Sequence, residues 1–128
     1  MDRTRVFLAA CAVIWLPYGL YCLVNPGFLR EAAGIASESA TGSTELRAMY
    51  GGLQAAVGAL ALAGCLRRDL ARPALIVLAA LPAGLFTARV VGVAVDGGLS
   101  GYTMGALVLE ATLTVVATTL ARRASGIA

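Results

Sequence analysis

Glu110 sits in the middle of an apolar run near the C-terminus, and Arg89 sits inside the apolar run before it. Asp96 follows Arg89 by seven residues, which on a helix places it two turns along the same face. Upstream, Arg47, Tyr50 and Gln54 recur at three- and four-residue spacing, and Tyr18 precedes Asn25 by seven. Two carboxylates that share one arginine but differ in surroundings divide into an acid and a base at neutral pH. With phenols and amides to orient water or substrate, such a set suits acid-assisted opening or cyclisation of an epoxide. It equally suits proton addition and removal at an alkene, which makes an isomerase. These reactions need a proton donor, an acceptor and a dry apolar cavity, but no cofactor. In this reading Glu110 and Asp96 are the acid–base pair and Arg89 holds them. Arg47, Tyr50 and Gln54 shape one polar wall for the substrate, and Tyr18 and Asn25 the other. Glu45 stands at the same mouth but off the Arg47 stripe. After Ser43 or Thr44 as cap, it reads as a first-turn acid favoured by the helix dipole.

The composition narrows the chemistry further. The chain has 128 residues, 59% hydrophobic and 13% charged, against about 25% charged in soluble domains. Histidine is absent, which removes the commonest general base and metal ligand. Cys11, Cys22 and Cys65 all lie in apolar runs without CxxC spacing, so neither a disulfide framework nor a metal site is expected. The net charge of +3 rests on scattered arginines, with no basic stripe interleaved with aromatics, so nucleic acid is not an expected partner. The partners expected are membrane lipid and a lipophilic small molecule, with a homo-oligomer possible.

These side chains must be positioned by membrane helices. A hydrocarbon core of about 30 Å needs about 20 apolar residues per helix. Four segments qualify: Val6–Val24, Glu45–Leu66, Pro73–Val95 and Gly101–Ala121. The expected fold is an all-α, integral-membrane four-helix bundle forming one domain over 1–128. Arg3 and Arg5, Arg67, Arg68 and Arg72, and Arg122 and Arg123 fall on one side of these spans. Seven arginines there predict cytoplasmic termini, in a multi-pass protein of the inner (plasma) membrane. LAAC at residues 8–11 matches a lipoprotein cleavage box in letters. Only Val6 and Phe7 separate it from the charged start, however, and the apolar run continues past Cys11. Ala48, Gly52 and Ala56 in the second span, and Gly84, Ala88 and Gly92 in the third, form small-residue rows suited to close packing in lipid. Pro17 and Pro82 fall mid-span, where each removes a backbone hydrogen bond.

Depth ties the polar residues together. At about 1.5 Å per residue, Gln54 and Glu110 each lie about 13 Å below the outer end of their spans. Arg89 lies about 10 Å below Asp96, and Tyr18 about 10 Å below Asn25. Thr103, Ala106, Glu110 and Thr114 line up on the fourth span, and Arg47, Gly51, Gln54 and Gly58 on the second. A charge near mid-bilayer costs a few kcal/mol and usually faces a bundle interior or cavity. An Arg89–Glu110 pair that only fixes helix register is the competing structural reading, and fits a membrane partner subunit. A binder or oligomeric transporter that grips an anionic group with Arg47 and Arg89 is another alternative.

The segments YGLYCLVNPGFL (18–29) and TELRAMYGGLQAAVGAL (44–60), Arg89 before DGG (96–98), and Glu110 in the last span together resemble a family of small bacterial four-helix membrane proteins. That family is described as a domain of unknown function, and the resemblance covers nearly the whole chain. It implies the bundle and the pocket residues, and no particular activity. In architecture the plan is also similar to emopamil-binding-type isomerases and receptors and to integral-membrane terpene cyclases. In those groups, acidic residues on a small helical bundle act on or bind lipophilic ring systems.

Overall fold

The structure is a computed structural model and describes residues 2–124. It is all-α. α1 spans Arg3–Val24, α2 Phe28–Ala33 and α3 Ala40–Leu46. A π-helical turn follows over Arg47–Gly52, then α4 over Leu53–Leu66, α5 over Arg68–Asp96 and α6 over Gly101–Ala124. Four continuous helical stretches are long and apolar enough to cross a membrane: Arg3–Val24, Ala40–Leu66, Arg68–Asp96 and Gly101–Ala124. Each expected span is present, and several are longer than expected at their arginine-bearing ends. Charged residues complete a terminal turn at little cost where they reach water. Asp69 in the first turn of α5, and Arg122 and Arg123 in the last turn of α6, also complement the helix dipoles.

The chain divides into two compact units, Met1–Ala71 and Arg72–Ala128. In the first, α1 packs along α4 and the π turn. Glycines make this approach possible. A Cβ on Gly19 would come within 3 Å of the Ala55 backbone nitrogen, one on Gly51 within 3 Å of Leu23 Cα, and one on Gly58 within 3 Å of the Leu16 nitrogen. Only the missing side chains let the two backbones touch, the close packing that replaces the hydrophobic drive in lipid.

This seam differs from the expected one. Ala48, Gly52 and Ala56 are exposed, while Gly51 and Gly58 are buried against α1. Gly51 and Gly58 lie seven residues apart on the Arg47 stripe, so the packed face is that stripe and not the Ala48 row. The row Gly84, Ala88 and Gly92 makes no comparable approach, since a Cβ on Gly84 or Gly92 meets nothing within 4 Å.

The segment before α4 also departs from expectation. α2 forms after the NPG sequence and closes at Gly34, whose φ of +70° only glycine adopts readily. The next helix begins at Ala40, because the Ser39 hydroxyl accepts from Gly42 N at 3.0 Å. Neither Ser43 nor Thr44 caps it: Thr44 Oγ1 instead donates back to Ala40 O at 3.0 Å, as an interior residue does. Glu45 is thus the sixth residue of α3 and exposed, past the first turn where a dipole favours an acid.

In the second unit, the turn Gly97–Ser100, with Gly97 at φ +70°, returns the chain from α5 into an antiparallel α6. The buried positions of α6 are Glu110, Leu113 and Ala117, spaced as one helical face.

Candidate functional site

In the second unit, Arg89 of α5 and Glu110 of α6 meet. Arg89 Nε donates to Glu110 Oε1 at 2.8 Å, in an ion pair where the Glu110 side chain is 5% exposed and that of Arg89 26%. Glu110 is the buried charged residue of the described chain. Its other oxygen, Oε2, is fully buried and has no hydrogen-bond partner among the described residues. Arg89 also lies over the ring of Tyr102, with its guanidinium carbon 5.8 Å from the ring centre. That is within range of a cation–π attraction. One helical turn past Glu110, the Thr114 hydroxyl is likewise buried and has no partner among the described residues.

This centre holds a carboxylate, a guanidinium and a phenol in one apolar environment. The guanidinium occupies one carboxylate oxygen and leaves the other with its lone pairs unsatisfied. Buried polar atoms are almost always hydrogen-bonded, so an orphan oxygen on a buried carboxylate calls for an explanation. A group that accepts or gives up a proton during a reaction supplies one. Tyr102 was not among the sequence candidates, although Tyr102, Ala106 and Glu110 follow one another at four-residue steps on α6. Asp96 stands apart: it is the last residue of α5, exposed, and forms no ion pair among the described residues.

The other candidates belong to the first unit. Arg47 opens the π turn and reaches the end of α1, where its Nη1 donates to the carbonyls of Leu23 and Val24, the latter at 3.1 Å. The last carbonyls of a helix lack intrahelical partners, and a guanidinium there answers both the missing donors and the negative end of the dipole. Asn25 is the C-cap of the same helix. Its backbone N–H bonds Tyr21 O, and its side chain donates to the Tyr21 hydroxyl at 3.2 Å. Tyr21 in turn meets Phe28 of α2 edge-on, with ring centres 5.2 Å apart. Tyr18 is half-buried and shares a side-chain hydrogen bond with Cys22. Tyr50 lies in the π turn and Gln54 at the start of α4, both half-buried. A single π turn inside a membrane helix often accompanies a functional site. Nothing in RAMYGG announces one beyond its paired glycines.

The chain belongs to the family described as Domain of unknown function (DUF4345), whose profile matches residues 3–121. No curated protein and no solved structure matches it.

Proposed function

We propose that this DUF4345 member is a membrane-embedded enzyme performing cofactor-free acid–base chemistry on a lipophilic small molecule, with Glu110 as its proton-handling group. The observation that carries this reading is the buried Glu110 Oε2, left without a partner while Oε1 is held by Arg89. The reaction that best uses the three groups is the opening of an epoxide. Glu110 Oε2 takes a proton from water, or from a substrate hydroxyl in a cyclisation, as the oxygen of that water or hydroxyl bonds to a ring carbon. The ring C–O bond breaks, its electron pair stays on oxygen, and Tyr102 gives that oxygen a proton. Return of the proton from the Glu110 carboxyl to the phenolate restores both groups. Arg89 positions Glu110 through its bond to Oε1. Double-bond isomerisation would use the same proton donor and acceptor.

Asp96, at the exposed end of α5, is suited to meet substrate entering from the water side. The half-buried Tyr18, Tyr50 and Gln54 suit a polar lining in the first unit. The arginine distribution supports an orientation with both termini in the cytoplasm.

The test uses the full chain purified in detergent and a terpenoid epoxide, following ring opening by chromatography. Glu110→Gln, which keeps shape and removes the base, is expected to lower turnover at least 100-fold with helicity unchanged. Wild-type turnover in that variant would overturn the reading. Saturable epoxide binding without turnover, lost in Arg89→Gln but kept in Glu110→Gln, would replace it with a binding protein.

A further inference from the structure

An open groove of about 510 Å³ runs along α5 and α6 in the second unit. Its lining includes Ile76 and Ala79 of α5 and Thr114 and Thr118 of α6, with Arg72 and Arg122 at one end. The lining positions run from Arg72 to Ala83 on one helix and from Thr114 to Arg122 on the other. At about 1.5 Å per residue, these are about 16 Å and 12 Å of helix. The volume falls within the roughly 300–1,000 Å³ of small-molecule sites. Apart from the threonines, the stretch between the arginines and Thr114 is alanine and isoleucine. The two threonine hydroxyls are the polar exceptions in this otherwise apolar wall.

The groove is therefore amphiphilic along its length. Two guanidiniums stand at its mouth, and a smooth apolar slot of small side chains leads about two to three turns away from them. Its occupant needs an anion at one end and a narrow flexible hydrocarbon behind it. Guanidinium binds phosphate through paired N–H donors, and basic pockets between membrane helices are the usual sites for anionic headgroups. The alanines matter as much as the arginines. Large side chains at Ala79, Ala80 and Ala83 would fill the slot, whereas arginines serving only as interfacial anchors need no slot behind them.

We infer that this groove is a binding site for one acyl chain of an anionic glycerophospholipid, with its phosphate held at Arg72 and Arg122. The inference stands on the groove and its charged mouth and does not depend on Glu110 chemistry. The slot ends at Thr114, one turn short of Glu110 on α6. A lipid bound there lies beside the Arg89–Glu110 centre without occupying it.

Native mass spectrometry on the detergent-purified full chain tests the site, with phosphatidylglycerol and phosphatidylcholine of identical chains as probes. Phosphatidylglycerol is expected to bind saturably and at least tenfold tighter. In R72Q/R122Q that preference is expected to vanish, and in Ala79→Phe, which keeps both arginines, phosphatidylglycerol affinity is expected to fall at least fivefold. R122Q alone, at an exposed helix end where unfolding is not at issue, is expected to give part of the loss. Inorganic phosphate at millimolar concentration is expected not to compete. Equal binding of the two lipids would overturn the inference, as would an unchanged Ala79→Phe, which would make the arginines mere surface anchors. Efficient competition by free phosphate would reassign the mouth to a soluble anion.

Discussion

Arg89 holds Glu110 by one oxygen only: Nε meets Oε1 at 2.8 Å, and Oε2 is buried with no partner among the described residues. A pair built solely for stability would gain from a two-pronged contact, because bidentate guanidinium–carboxylate geometry gives both more energy and a fixed orientation. Leaving a lone pair unsatisfied in an apolar interior costs about 1–3 kcal/mol. The arrangement gives up stability and leaves one carboxylate oxygen open to a further partner.

The stability consequences can be separated from the functional ones. Breaking a buried pair by removing one partner costs about 3–5 kcal/mol. Arg89 is partly exposed and can turn toward water, so Glu110→Leu should fall below that range, at about 2 kcal/mol. Arg89→Leu with Glu110→Leu removes both charges and should return thermal stability to within about 1 kcal/mol of wild type. Activity on a terpenoid epoxide should stay lost in the double variant. A double variant that melts and turns over like wild type would mean the pair serves packing alone.

The glycines of α1 and α4 give a second prediction, in which equal chemistry gives opposite results. Gly58→Ala drives a methyl into the Leu16 backbone, and Gly19→Ala into Ala55, so the helices must separate. Overpacking of this kind costs about 1–3 kcal/mol, and meeting backbone rather than a flexible side chain puts these at the upper end. Gly84→Ala and Gly92→Ala meet no atom within 4 Å, and alanine is favoured over glycine in a helix by about 1 kcal/mol. These two should be neutral or slightly stabilising. Thermal unfolding in one detergent, followed by circular dichroism across the four variants, checks the ordering.

The contrast shows which features could be read from residue order. Four spans were legible because hydropathy over 20 residues is a property of composition, indifferent to the local turn. The Arg89–Glu110 meeting was legible because charges at matching depth on consecutive antiparallel helices have few other partners. The α1–α4 seam was not, because it depends on rotation about the helix axis. Gly51 and Gly58, on the Arg47 stripe, face α1 whereas Gly52 and Ala56 do not, and small-residue spacing alone does not say which row meets a partner. That packing changes how Arg47 reads. Its stripe is a packing seam, and its guanidinium closes the end of α1. The start at Ala40 was missed because Ser39, Ser43 and Thr44 are all acceptable caps by type, and only geometry selects Ser39. Tyr102 was passed over because a tyrosine near a helix start is ordinary at a membrane interface.

Arg47 provides a third prediction. Its bonds to the Leu23 and Val24 carbonyls join the end of α1 to the start of the π turn. Hydrogen bonds from a charged donor are worth about 1.5–3 kcal/mol, less at an exposed end. Arg47→Gln should therefore lower stability by about 1 kcal/mol and speed amide exchange at Asn25, whose N–H bonds Tyr21 O in the last turn of α1. Arg47→Lys, a single-point donor, should recover only part of this. Loss of ligand binding in Arg47→Gln with exchange at Asn25 unchanged would show that Arg47 acts on a ligand and not on the helix end.

The fourth prediction asks which group protonates the opened ring. Tyr102 lies against Arg89, while Asp96 is exposed at the end of α5. A general acid contributes about 10²–10⁴-fold. Tyr102→Phe keeps the ring over the guanidinium and removes only the hydroxyl, so it should lower epoxide turnover by about 10²-fold with little change in KM. Asp96→Asn should change turnover less than tenfold and act mainly on KM, as expected of a residue that substrate passes. Single-turnover rates on both variants, with Glu110→Gln as the reference loss, separate the two. If Asp96→Asn falls as far as Glu110→Gln while Tyr102→Phe stays near wild type, the second proton belongs to Asp96. Substrate would then bridge from the Arg89 centre to the end of α5, about 10 Å along the helix.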